Sequence, residues 1–410
     1  GLMVNSLYRQ THNYSRRRSL RCSWSLAISC VLVAVGSSTA QEPVDASLAE
    51  STRYAGSDKV GDSMWRVRPS DTPYDRWISK SRERIPVFEG LLIQDARTEP
   101  LYPWPDMGVD GLYVKMADYQ ITDGWILEVP PKGETRPQRH LFEAGMYFFG
   151  GHGYIELQQE GKRAQRVRFQ YKTLFSIPLN VKYKIVNESS EPVRVVAVTS
   201  FPFVINSMNN EEFVFNNPFS FTDRYNAEED FDTYSKHVEM NQTNTNVVPD
   251  ALNYELDSYD RRGQGSSNMH WTMSGNSMID LHVSEVPAGL YKKAHRHSSD
   301  AFILIIGGEG YSLAWAEGQY EQRIRVDWQE GTIFVPPIYW YHQHLNPGTK
   351  NARYVAINAP LLVTALGLRF SDQLDPDLDD IEKEFKSELA KRRGEIGVAP
   401  EIPYLDPGNR

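Results

Sequence analysis

Residues 285–297 read EVPAGLYKKAHRH, and residues 128–140, placed 157 positions earlier, read EVPPKGETRPQRH. At the same offset, FFGGHGY at residues 148–154 matches IIGGEGY at residues 305–311. Two further matches follow in the same order, Phe175-Ser176-Ile177-Pro178 with Phe334-Val335-Pro336-Pro337 and Asn187 with Asn346. A self-match that keeps its order over this span predicts two copies of one structural unit.

Each copy has the sequence features of β-strands. Runs rich in β-branched and aromatic residues, such as 112–114, 146–149 and 193–198, are separated by Gly, Pro or Asn. The chain has 410 residues, with 28 Gly, 24 Pro and 12% aromatic residues, which is enough for two turn-rich domains. The sequence therefore predicts an all-β fold with related units over 111–205 and 268–366.

Four other segments complete the predicted organisation. They are a leader over 1–40, a spacer and extension over 41–110, a connector over 206–267, and a helix and tail over 367–410. The extension contains a helical candidate at 72–84. The tail helix is expected to start at Ser371 and to stop at Gly394. Its apolar residues recur with helical spacing at Leu378, Ile381, Phe385 and Leu389.

The leader resembles an export signal. Arginines at 16–21 precede an apolar stretch over 24–35, which is too short for a membrane-spanning helix. Small residues at 38–40 fit a cleavage position before Gln41. An ordinary secretory signal and a twin-arginine signal fit this pattern equally well. We therefore expect a periplasmic or secreted protein with no membrane attachment once the signal is removed.

Charge and cysteine content exclude several classes of function. The formal net charge is −9, and the leader holds five arginines and no acid, so the remainder carries −14. An acidic chain without a basic stripe argues against nucleic acid and against an anionic membrane surface as partner. Both cysteines, Cys22 and Cys30, lie in the leader, so the remainder offers no thiolate ligand or cysteine nucleophile.

Histidines in the second unit follow a strand period. Side chains alternate along a strand, so His295 and His297 share one face, as do His342 and His344. In a closed barrel, distant strands face each other across the interior. Two imidazoles from one strand and one or two from the other could then converge on a metal ion. His152, His237, His270 and His282 are interpreted as ordinary surface or core histidines.

The spacing of these residues is similar to the two motifs of the cupin superfamily. The matching positions are Gly289, His295, His297 and Gly308 in the first motif and Gly331, Pro337, His342 and Asn346 in the second. The resemblance covers about 85–375 and implies a double-stranded β-helix, or RmlC-like jelly-roll, bicupin. It also implies that His295, His297 and His342 are metal ligands. The overall pattern resembles a group of exported bicupins.

One position departs from the cupin pattern. The usual glutamate falls on Ala301, and the adjacent Asp300 is expected on the opposite strand face. The resemblance then implies a three-histidine site like that of gentisate-type, thiol and diketone dioxygenases. Three neutral imidazoles leave the metal its full charge and open positions for a chelating anion and O2. Fe(II) is favoured, with Mn, Ni, Cu or Zn as alternatives.

The first unit has lost most of these residues. Gln138 replaces the first histidine and Tyr183 the third, while His140 remains with Glu143 nearby. One histidine and one glutamate rarely hold a metal ion. The first unit is therefore expected to be a structural scaffold, with binding of an organic ligand as the alternative.

Two residues are candidates for a catalytic role beside the metal. His344 shares the strand face of His342, and Lys293 shares the parity of His295. The leading hypothesis is a non-haem Fe(II) dioxygenase acting on a small hydroxy-acid or phenolic substrate. The alternatives are a Lewis-acid lyase or isomerase and a non-catalytic periplasmic binding protein. Exposed sheet edges favour a homo-oligomer.

Overall fold

The computed structural model describes residues 71–117, 119–374 and 378–395. The predicted leader and the predicted spacer up to residue 70 lie outside the described residues. In the described part of the chain, no helix has both the length and the apolar character needed to cross a bilayer.

The described chain is built mainly from β-strands. In the first half these are β1 (Val87–Gly90), β2 (Leu92–Ile93), β3 (Tyr102–Trp104), β4 (Val109–Met116), β5 (Asp123–Val129), β6 (Ala144–Phe149), β7 (His152–Gln158), β8 (Gln165–Gln170), β9 (Leu174–Ile177), β10 (Lys182–Asn187), β11 (Val193–Thr199), β12 (Ser235–Glu239), β13 (Gln242–Thr245), β14 (Val247–Val248) and β15 (Asp257–Ser258).

The second half continues in the same way. Its strands are β16 (Ser267–Met273), β17 (Asp280–Val286), β18 (Leu290–Tyr291), β19 (His295–His297), β20 (Phe302–Gly307), β21 (Glu309–Trp315), β22 (Ile324–Gln329), β23 (Ile333–Phe334), β24 (Tyr341–Asn346), β25 (Ala352–Asn358) and β26 (Ser371–Gln373). The helices are α1 (Pro73–Ser81), α2 (Phe201–Met208), α3 (Glu211–Phe215), α4 (Pro360–Ala365) and α5 (Asp379–Glu395), with 3-10 turns at Asp260–Arg262 and Tyr320–Gln322.

Two sheets enclose the first barrel. The larger has the order β1-β4-β5-β11-β6-β9-β14, with β3 beside β4, and the smaller has the order β10-β7-β8. The side chains between these sheets form an aromatic-rich core that includes Trp125, Phe142 and Tyr183. Strand β14 reaches this barrel from the predicted connector by pairing with β9.

The second barrel repeats this arrangement. Its larger sheet has the order β12-β13-β16-β17-β25-β20-β23-β2, with β15 beside β16, and its smaller sheet has the order β22-β21-β24-β19-β26, with β18 beside β24. Strand β2 comes from the predicted extension and pairs with β23. Each barrel therefore gains a strand from a segment outside its own repeat.

The larger sheets of the two barrels pack against each other. Their facing side chains form one shared apolar core, with Ile126 and Val196 from the first barrel and Leu281 and Val355 from the second. Because alternate residues of each strand face this shared core, the remaining residues face the interior of their own barrel. In each half of the molecule, a larger and a smaller sheet therefore enclose one barrel. This is the double-stranded β-helix fold that the sequence predicted.

Equivalent contacts confirm the internal repeat. Arg194 donates to Glu128 at 2.7 Å in the first barrel, and Arg353 donates to Glu285 at 2.7 Å in the second. The amide of Asn187 donates to the carbonyl of Val129 at 3.1 Å. Its counterpart Asn346 donates to the carbonyl of Val286 at 2.9 Å. The sequence match at 187 and 346 thus reflects one conserved turn geometry in both copies.

The terminal helices differ from prediction at their ends. Helix α1 is capped by Thr72 and ends at Ser81, which is shorter than the predicted 72–84. The tail helix was predicted from residue 371, but 371–373 form strand β26, which pairs with β19. Helix α5 begins at Asp379 and continues through Gly394 to Glu395. Its apolar residues Ile381, Phe385 and Leu389 are buried against the second barrel.

Candidate metal centre

Three histidines meet inside the second barrel. His295 and His297 lie on β19, and His342 lies on the neighbouring strand β24, directly opposite His295 in the antiparallel register. One possible ligand atom from each of the three side chains lies within 4.8 Å of the other two. Ring centroids are 4.4 Å apart for His295 and His342, and 4.9 Å apart for His297 and His342.

Backbone carbonyls fix the tautomer of each of these rings. The Nδ1 atoms of His295, His297 and His342 lie 2.9, 2.7 and 3.1 Å from the carbonyl oxygens of Lys293, Ser299 and Trp340. Because a carbonyl oxygen can only accept, each Nδ1 must carry the proton. The lone pair is then on Nε2, which is the arrangement a metal-binding imidazole needs.

Burial keeps the three imidazoles neutral. It lowers the pKa of His297 to about 4. It also holds the pKa values of His295 and His342 well below their usual range, with a further lowering from neighbouring imidazoles. A neutral imidazole is the form that binds a metal ion. The three side chains are therefore ready to bind a divalent cation at neutral pH.

No carboxylate joins these rings among the described residues. Ala301 faces the barrel interior, in the apolar cluster with Ile303 and Ile305. Asp300 points elsewhere, since its carboxylate accepts hydrogen bonds from the Thr122 hydroxyl and from the Ala359 amide at 3.1 Å. Burial raises the pKa of Asp300 to about 6. The donor set is therefore three nitrogens, which fits a first-row divalent metal.

Sequence reasoning missed Arg262, which reaches this site from the connector. Its guanidinium bonds to Gln373 and Ser371, which lie directly opposite His295 and His297 in the pairing of β26 with β19, and its charge lowers the pKa of all three histidines. Both of these partners are neutral: the Gln373 side-chain oxygen lies at 3.0 Å and the Ser371 hydroxyl at 3.4 Å. Within the described residues Arg262 forms no ion pair with a carboxylate. No motif in the sequence marks this arginine.

Lys292 is a second cation that the sequence did not single out. Its side chain is 3% exposed, and its ammonium donates to the Tyr354 hydroxyl at 3.3 Å. In the described chain it too lacks a carboxylate partner. Lys293, the predicted candidate, is only half-buried. Residues 292–294 lie between β18 and β19, so strand alternation does not extend through them. The catalytic role of Lys293 stays a prediction.

His344 lies beside the three histidines with the opposite tautomer. The Trp328 indole N–H donates to the Ser312 hydroxyl at 2.9 Å, and that hydroxyl lies 2.8 Å from His344 Nδ1. Since Trp328 can only donate, the Ser312 hydroxyl proton is free to go to His344 Nδ1, and among the described residues this hydroxyl has no other acceptor. His344 then carries its proton on Nε2. This tautomer suits a hydrogen-bond donor and not a ligand.

The first barrel has no equivalent centre in its described residues. His140 stacks on Phe142 with ring centroids 3.8 Å apart, and its Nε2 lies 3.1 Å from the Tyr183 hydroxyl. The buried Glu143 accepts from the backbone amides of Ser277, Met278 and Ile279. Glu143 thus ties the first barrel to the second, and Tyr183 takes up the position of the missing histidine.

The fold is that of a bicupin, two double-stranded β-helix barrels, and the second barrel holds a group of three histidines. The structure superposes on salicylate 1,2-dioxygenase from Pseudaminobacter salicylatoxidans with a TM-score of 0.45 and 11% identity, covering 62% of this chain and 75% of that chain. It superposes on oxalate decarboxylase from Bacillus subtilis with a TM-score of 0.45 and 13% identity, covering 66% and 77%. No family model and no curated protein matches the sequence.

Proposed function

We propose that this protein is a metal-dependent cupin enzyme, a non-haem Fe(II) dioxygenase that acts on a small chelating hydroxy-acid or phenolic carboxylate. One observation carries the proposal: three neutral imidazoles, without a carboxylate ligand, lie beside the Arg262 guanidinium, which has no acidic partner in the described chain. When bound, Fe(II) would supply the site for O2 and for the chelating groups of the substrate.

Electrostatics select an anionic substrate. The donors His295, His297 and His342 are neutral, so they do not reduce the charge of a divalent ion. Arg262 and Lys292 add two positive charges, and burying a charge without a partner is costly. A substrate carboxylate would provide that partner. Arg262 is the better candidate for this contact, because a guanidinium binds a carboxylate through two parallel hydrogen bonds.

His344 would act as a hydrogen-bond donor. Burial, followed by the charge of Lys292, lowers its pKa to about 3, so the ring is neutral at neutral pH. Ser312 holds Nδ1 and leaves Nε2–H available on the inward face of β24. From that position His344 would donate to an oxygen atom of the bound substrate. His344 would therefore contact the substrate, whereas His342 would bind the metal ion.

Oxygen uptake tests this proposal. The protein is reconstituted anaerobically with Fe(II) and screened with 2-hydroxybenzoates, 2-hydroxy acids, phenols and thiols in an oxygen electrode. We expect uptake that matches substrate loss for at least one hydroxy-carboxylate. His342→Ala should abolish it, and the exposed His152→Ala should not. Absence of uptake with every compound, or turnover with Zn(II) and no O2, would overturn the dioxygenase assignment.

We further propose that the enzyme is an exported homo-oligomer. The arginine-rich leader supports export, and the exposed edge strand β12 supports self-association. Fractionation of the producing cells and light scattering of the purified protein test these two points. A cytoplasmic location or a monomer would contradict them.

A further inference from the structure

A second group of metal-binding side chains lies on the larger sheet of the second barrel. His270 on β16 is directly opposite His282 on β17, and Asp280 precedes His282 by two residues on the same strand. The adjacent residues Trp271 on β16 and Leu281 on β17 face the core shared by the barrels. His270, Asp280 and His282 therefore lie together on the other face of the sheet. The sequence had suggested only ordinary histidines here.

The three side chains converge on one point. His270 Nδ1 lies 2.6 Å from Asp280 Oδ2, and His282 Nδ1 lies 3.7 Å from the same oxygen. One ligand atom from each residue lies within 4.8 Å of the other two. The two imidazoles are stacked, with centroids 4.3 Å apart and planes 23° apart, so both rings present Nδ1 to the same carboxylate.

One buried atom in this group has no hydrogen-bond partner. His282 Nδ1 is inaccessible to solvent, and its 3.7 Å separation from Asp280 is too long for a hydrogen bond. A buried polar atom without a partner is costly in free energy. The hydrogen bond between His270 and Asp280 gives each of those two side chains a polar partner. It leaves His282 Nδ1 without one. A cation held between the three side chains would satisfy it.

We propose that His270, Asp280 and His282 bind a second metal ion, a first-row divalent transition metal. Two nitrogens and one carboxylate oxygen suit such an ion, whereas Ca²⁺ and Mg²⁺ require oxygen-rich sites. The site shares no ligand with the three-histidine group, which lies on the smaller sheet. It bridges β16 and β17, so the bound ion would hold these strands together. The inference stands independently of the dioxygenase proposal.

Metal stoichiometry tests the second site. The full protein is loaded with Co(II), passed through a desalting column and analysed for bound metal per chain. We expect two ions for the unaltered protein, one for Asp280→Asn, one for His342→Ala, and none for the double variant. The half-exposed His270→Gln provides a second test that disturbs the fold less, and it should also bind one ion.

Thermal unfolding provides an independent readout. In the His342→Ala background, Co(II) should raise Tm, and adding Asp280→Asn should remove that rise. The proposal is overturned if the unaltered protein binds a single ion that His342→Ala abolishes. It is equally overturned if folded Asp280→Asn and His270→Gln retain two ions. In either outcome the group is a hydrogen-bonded histidine–aspartate pair. Neither readout depends on oxygen chemistry.

Discussion

On strand β24 two histidines with the same orientation differ in which ring nitrogen carries the proton. His342 donates from Nδ1 to a backbone carbonyl, whereas His344 accepts at Nδ1 from Ser312. The period of the sequence predicted that both rings face inward. It could not predict the tautomers, because these depend on Trp340 and on Ser312 from β21. The partner of Nδ1 therefore decides which ring can bind metal and which can donate a hydrogen bond.

Removing the Ser312 hydroxyl should affect turnover and not metal binding. In Ser312→Ala, His344 loses the donor that fixes its tautomer, so Nε2–H is no longer held in place. We expect kcat to fall by about 5- to 13-fold, the loss of roughly one hydrogen bond at about 1–1.5 kcal/mol. Ser312→Thr should restore most of it. Unchanged kcat and pH profile in Ser312→Ala would exclude His344 as donor.

Arg262 should determine affinity for the anionic substrate. Arg262→Gln removes the charge near the three histidines, so the dissociation constant of a carboxylate ligand should rise about 10–100-fold, the value of one charged hydrogen bond. Metal content should stay the same. The neighbouring exposed Arg261→Gln is the matched control and should bind normally. Calorimetric titration with a 2-hydroxybenzoate measures the effect, and equal affinity in both variants would contradict the assigned role.

Helix α5 supports strand β24, which carries His342, one of the three proposed metal ligands. On β24, Tyr341 and Leu345 face the helix, while His342 and His344 face the barrel interior. The helical period correctly predicted the buried face of α5. The short strand β26 was not predictable, because its residues Ser371, Asp372 and Gln373 have low β-propensity and are ordered by pairing with β19.

Loss of packing under this helix should destabilise the second barrel. Phe385 is 2% exposed and its ring lies 5.1 Å from that of Tyr291. We expect Phe385→Ala to lower the free energy of unfolding by about 3–5 kcal/mol. The exposed Ser387→Ala on the same helix should be nearly neutral. Urea unfolding of both variants measures this difference, and a loss below about 1 kcal/mol for Phe385→Ala would contradict the packing account.

At the scale of the whole molecule, the internal sequence repeat was the main basis for predicting the fold. Two barrels, with the histidine pair kept in the second and reduced to His140 in the first, follow from comparing 128–140 with 285–297. The exchange of strands β2 and β14 does not follow, because strands of two residues are defined by their partners and have no sequence period. The position of Arg262 was also not predictable from the sequence, because a connector residue approaches the site only through the tertiary fold.

Buried neutral histidines should make the folded protein sensitive to acid. In the first barrel, burial lowers the pKa of His140 to about 4. Below its unfolded value of about 6.5, the unfolded chain binds this proton and the folded chain does not. Stability is therefore lost as pH falls from about 6.5 to 4. In metal-free protein, His140→Gln should reduce that loss by about 3 kcal/mol.

The exposed His237→Gln is the control for this pH effect and should leave the stability profile unchanged. Urea unfolding of the metal-free proteins between pH 7 and pH 4 measures both profiles. Parallel profiles for His140→Gln and the unaltered protein would show that His140 takes up its proton equally in both states. The tight packing of its ring on Phe142 would then not exclude the charged form.

The most direct test of the central claim is the metal affinity of single histidine variants of the second barrel. In a His282→Asn background, which removes the second group, Fe(II) affinity is measured for His295→Ala, His297→Ala and His342→Ala, with His152→Ala as control. The account predicts that each of the three loses at least tenfold in affinity and that the control loses none. Full affinity in all three variants would show that these imidazoles do not hold the metal.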